Sequence, residues 1–127
     1  MSARPALLFV LALALTACAG GGQGRVPGGV ATVAGGDPGR GSVTIGRAQC
    51  GACHIIPGIA DAHGLVGPPL IHFGRRTMVA GFLPNTPDAL QHWLLDPQGV
   101  APGNGMPATG LSQAEARDAA AYLESLR

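Results

Sequence analysis

Two stretches of this chain carry apolar residues at helical spacing. Leu90, Trp93 and Leu94 share one face of a run that opens at Thr86-Pro87 and closes at Asp96-Pro97. Ala116, Ala119, Leu123 and Leu126 share a face of "SQAEARDAAAYLESLR", whose Ser112 and Glu115 stand in capping-box spacing. Asp37-Pro38 supplies a third helix start, with an N-cap carboxylate and a proline at N1, where its missing N–H is harmless. A short helix is expected to run from there through "CGACH" at 50–54. Prolines and glycines break up residues 55–84, which read as ordered loop with room for one helical turn, and "APGNGMPATG" is loop again. No segment has the alternation of a strand. The expected fold class is all-α: three main helices joined by long loops over residues 37–127.

One further apolar run, Ala6–Leu15, follows Arg4. It is too short to span a bilayer as a helix, which takes about 20 residues. Its length and flanks are those of a secretory signal peptide over residues 1–17. "LTAC" at 15–18 resembles the lipobox of bacterial lipoproteins, which would put a lipid on Cys18. Ala17-Cys18-Ala19 is also an A-x-A signal, and the alternative is a cut after Ala19 that releases a soluble, periplasmic protein. The lipid reading gives Cys18 a use, and two or more acyl chains anchor stably. Residues 18–36 hold eight glycines and no apolar period, the pattern of a flexible linker with a root-mean-square span of about 23 Å.

Composition sharpens the picture at two points. With 21 glycines, 11 prolines and few aromatics, the domain would have a thin core of its own. Charge is balanced, eight arginines against seven acids with no lysine, so no nucleic-acid footprint is present.

The chemistry lies in Cys50-Gly51-Ala52-Cys53-His54. A thiol redox motif would need a preceding strand in a βαβ unit. A zinc site would need His63, His72 or His92 to complete it, without a second paired motif. A Cys50–Cys53 disulfide would close too short a loop to stabilise much. C-x-x-C-H is also the attachment signature of c-type haem. Each cysteine would form a thioether with a haem vinyl group, and the histidine would ligate iron from one face. A covalent haem fills the thin core as well, so the haem-free chain is expected to be largely unfolded. The ligand on the other face is to be sought among Met78, Met106, His63, His72 and His92. Met106, in the glycine-rich "PGNGMP" loop with no evident packing role, is the strongest of these.

From residue 36 to 127 the chain resembles the monohaem cytochrome c family of the small His/Met type. "GDPGRG" is similar to the start of the family's first helix, with Gly41 where the last helix crosses and Tyr122 packed beside it. "GPPL" at 67–70 resembles the family's G-P-x-L segment, which implies a hydrogen bond from His54 to the Pro68 carbonyl. "DALQHWLLDP" followed by Met106 matches the spacing from a helix-ending proline to the methionine ligand, and puts Trp93 at a haem-facing position. The resemblance also implies that Arg75 or Arg76 neutralises a haem propionate. It departs from mitochondrial cytochrome c in having no lysine ring, so electrostatic steering should be weak.

The function expected is that of an electron carrier rather than an enzyme. It would hold one haem c through Cys50 and Cys53 and cycle Fe(II)/Fe(III) between His54 and Met106. Electrons would pass at the haem edge, beside an apolar surface of Ile55, Ile56, Pro57 and Ile59. The expected setting is the periplasmic side of a bacterial membrane, as a monomer anchored through Cys18. Membrane respiratory complexes would be its partners, with a terminal oxidase as one acceptor. The alternatives are the haem subunit of a larger oxidase or dehydrogenase, and a peroxidase or gas-binding protein if Met106 is labile.

Overall fold

The computed structural model describes residues 32–127. The expected signal segment, Cys18 and most of the expected linker lie outside them. Four α-helices dominate: α1 (Pro38–Arg47), α2 (Pro87–Leu95), α3 (Pro97–Val100) and α4 (Gln113–Ser125). The architecture is mostly helical, as expected. Two short 3-10 turns, Cys50–Ala52 and Phe73–Arg75, lie between α1 and α2.

The three longer helices begin where local chemistry says they should. The Asp37 carboxylate accepts from the Arg40 N–H, the Thr86 hydroxyl accepts from the Ala89 N–H, and Ser112 and Glu115 form a reciprocal capping box. α3 is an additional turn. Asp96, expected only to end α2, also caps this turn by accepting from the Gly99 N–H at 2.8 Å.

Three expectations need correction. α1 does not continue through 50–54: it ends at Arg47, and Gln49 (φ 56°) turns the chain through the left-handed region before Cys50. The 55–84 stretch contains a small antiparallel hairpin, β1 (Met78–Val79) paired with β2 (Leu83–Pro84), where no strand was expected. Its turn uses positive φ at Ala80 and Gly81. The packed domain also starts before residue 37, because Val33 is buried and Gly36 sits against Ala121 and the Arg117 carbonyl of α4.

α1 crosses α4 closely at Gly41. A Cβ there would stand 2.7 Å from the Asp118 carbonyl carbon and 2.9 Å from the Tyr122 Cβ, so only glycine fits. The crossing is pinned at one end by Asp118, whose carboxylate accepts from Arg40 Nε (2.7 Å), Arg40 Nη2 (3.0 Å) and the Asp37 N–H (2.8 Å). Arg40 and these N–H donors hold the Asp118 carboxyl below the usual carboxylate range. Arg47 and Glu115 form a second ion pair between the two helices. Tyr122 reaches out of α4 and donates its hydroxyl to the Pro57 carbonyl at 2.6 Å, tying the following loop to the pair.

The core is thin, as composition implied. Among the described residues thirteen apolar ones are buried; five of these are alanine, and Phe73 is the one aromatic. Ile45, Phe73, Val79, Leu90, Leu94 and Leu123 turn toward a common interior space instead of filling it.

Candidate functional site

That space is a cavity of about 790 Å³, within the range of cofactor pockets. Cys50, Cys53 and His54 line it from one direction, and Met106 lines it from the α3–α4 loop.

The thiols and the imidazole come off one tight turn. The N–H groups of Cys53 and His54 both donate to the Cys50 carbonyl, at 3.2 and 3.0 Å. A second segment is stapled alongside: Gly64 donates to Gly51 (2.9 Å), Gly67 to Cys53 (2.7 Å) and Leu70 to Ile55 (2.8 Å), all through backbone. This brings the Pro68 carbonyl oxygen 2.7 Å from His54 Nδ1. A carbonyl only accepts, so Nδ1 is the protonated nitrogen and Nε2 of the neutral ring keeps its lone pair for a metal. Gly67 lies flat against the ring; a Cβ on it would stand 2.6 Å from Nδ1 and 2.9 Å from Nε2.

Met106 sits in the loop after α3, partly buried against the core. Trp93 lines the same cavity and meets Phe82 of the hairpin edge-on, with ring centroids 6.1 Å apart. Arg76 is the arginine at the cavity. Its guanidinium donates to the Pro69 carbonyl and lies over the Phe73 ring, 5.3 Å from the centroid. Arg75 is exposed and does not line the cavity, so of the two arginines expected at a propionate only Arg76 borders that space.

Burial pushes the Cys50 thiol up. His63, His72 and His92 are exposed and away from the cavity. Among the described residues no group of three or more His, Cys, Asp or Glu side chains is placed to hold a metal ion. An apolar space bounded by two thiols, an oriented imidazole, a thioether and one arginine fits a haem instead.

The cytochrome c family profile matches residues 40–127. This chain belongs to the cytochrome c family. Among relatives it is 38% identical over 80 residues to cytochrome c oxidase subunit 2 of Alkalihalophilus pseudofirmus, a match covering 62% of this chain and 22% of that protein. Subunit 2 proteins of Bacillus sp. strain PS3 (34%) and Bacillus subtilis strain 168 (35%) match over 83 residues, again 62% of this chain and 23% of theirs. The chain thus spans less than a quarter of the length of these relatives.

Within this cytochrome c domain the apolar surface differs from the expected one. Ile56 is 2% exposed and belongs to the core, while Ile55 and Ile59 are only partly exposed. Leu65 and Val66 are the open apolar pair, 83% and 81% exposed, and Val66 borders the cavity. Met78 also lines the cavity, 42% exposed, in β1. Sequence reasoning did not single out Gly67, Gln98 or Asn104. Gly67 was visible only as part of "GPPL", and Gln98 carries no local signal.

Proposed function

We propose that this chain carries single electrons through one haem c, which Cys50 and Cys53 would hold covalently and whose iron His54 and Met106 would ligate. The observation that carries this reading is the convergence of two thiols, an Nε2-available imidazole and a thioether on one apolar cavity. A bound haem supplies a one-electron Fe(III)/Fe(II) couple. The protein's own residues set its conditions. The Pro68 carbonyl fixes the tautomer of His54 and raises its basicity. With a haem bound, the Met106 thioether would favour the ferrous form, and the apolar walls built by Phe73, Leu90, Leu94 and Leu123 would exclude water and raise the potential further. Arg76, at the cavity wall, would supply a positive charge to a haem propionate. Leu65 and Val66 offer a dry contact surface for a redox partner.

The same proposal includes export by residues 1–17 and placement on the periplasmic side of a membrane. Cys18 would be lipidated, or the chain cut after Ala19. A terminal oxidase is the proposed electron acceptor. The oxidase subunit 2 relatives support a second reading, in which this domain is the haem subunit of an oxidase. Purification from native membranes separates the two. A monohaem protein that reduces an added oxidase while remaining separate supports the carrier, and fixed stoichiometry with oxidase subunits supports the subunit. A purified protein that undergoes no reversible one-electron reduction contradicts both.

A further inference from the structure

The loop that presents Met106 is held by side-chain amides. Gln98, on α3, donates from Nε2 to the carbonyl oxygens of Asn104 (3.0 Å) and Met106 (2.8 Å), and its Oε1 accepts from the Gly103 N–H (3.2 Å). Asn104 donates from Nδ2 to the Pro97 and Ala101 carbonyls, both at 2.7 Å, while its Oδ1 accepts from the Met106 N–H at 2.7 Å. Both polar backbone groups of Met106 are therefore satisfied by the side chains of Gln98 and Asn104. A Cβ at Gly103 or Gly105 would meet no protein atom within 4 Å. The platform beneath is firm: Pro97 is fully buried and Asp96 caps α3.

We infer that Gln98, together with Asn104, is a positioning residue that sets how firmly the Met106 thioether occupies its coordination position. The inference rests on Met106 being the axial ligand. With the amide donor removed, the loop loses two of its ties and the thioether leaves more easily, so a small exogenous ligand competes better. The residue would thus decide whether the sixth position is closed, as a carrier requires, or open to small molecules.

The test is titration of the ferric haem-loaded protein with imidazole, alongside the methionine-to-iron charge-transfer band. Gln98→Ala should tighten imidazole binding about tenfold, equivalent to about 1.4 kcal/mol, and weaken the band. Gln98→Glu keeps an acceptor for Gly103 but has no donor for the two carbonyls, and should shift affinity in the same direction. Thr86→Ala removes the α2 cap at the far end of that helix. It should lower thermal stability without changing imidazole affinity. Equal affinity in wild type and both Gln98 variants, with Met106→Ala binding imidazole more tightly, overturns the inference alone. If Met106→Ala is itself unchanged, the axial-ligand reading fails and takes the inference with it.

Discussion

Gly67→Ala should damage the histidine side of the site while adding only one methyl group. The new Cβ would stand 2.6 Å from His54 Nδ1 and 2.9 Å from Nε2. Ordinary contact begins near 3.5 Å, so ring and backbone must separate by about 1 Å. Neither retreats freely. The Gly67 N–H is bonded to the Cys53 carbonyl at 2.7 Å, and Nδ1 is bonded to the Pro68 carbonyl at the same distance. Overpacking of this kind plus one lost hydrogen bond should cost about 2–4 kcal/mol. For a domain of this size the melting temperature should then fall by about 10–20 °C. The potential gives a more specific readout. Without the Pro68 bond the imidazole is a poorer donor to ferric iron, and about 1 kcal/mol of lost ferric stabilisation raises the potential by about 40 mV. Thermal melts and a redox titration of the haem-loaded variant check both numbers. A variant with wild-type melting temperature and potential would refute the reasoning that Gly67 exists to admit the ring.

Gly41→Ala should be worse for stability, since its Cβ would fall 2.7 Å from the Asp118 carbonyl carbon at the α1–α4 crossing. A loss of about 3 kcal/mol or more, read by denaturant unfolding, is expected, and a loss below 1 kcal/mol would contradict it. The Asp118 carboxyl is depressed in the folded state by Arg40 and the Asp37 N–H. Its contribution is therefore complete above the unfolded value of about 4 and is lost as pH falls through the lower folded value. Asp118→Asn should be less stable at neutral pH and should show a shallower stability loss below about pH 4; identical slopes would show that Asp118 is not responsible. Haem-free protein made with Cys50→Ser and Cys53→Ser should show little helix by far-ultraviolet circular dichroism, because five of thirteen core residues are alanine. Native helix content would contradict it.

What the sequence made legible was local. Asp37, Thr86 and Ser112 each cap a helix through a bond to an amide three residues on, a geometry contained within one turn. The C-x-x-C-H spacing and the G-P-x-L likeness located the thiols and the Pro68 contact by pattern. What stayed hidden depends on distant partners. Nothing around Gln49 announces the positive φ that ends the run into Cys50. Val33 reads as one apolar residue in a glycine-rich tract, yet it is buried in the core. Ile55 and Ile56 look alike in sequence, but the loop turns one into the core, while Leu65 and Val66 take the open positions. Arg75 and Arg76 are likewise distinguished only by the turn that points one at the cavity. Gln98 reaches across six to eight residues of loop, a relation no periodicity encodes.

The central claim is a haem held covalently between His54 and Met106. Intact mass of the protein expressed in a host able to attach c-type haem, followed by its absorption spectrum with and without Met106→Ala, tests it most directly. The account predicts one haem retained under denaturing conditions in the wild type, and loss of the methionine charge-transfer band in the variant. A chain without haem in that host would contradict the account at its root.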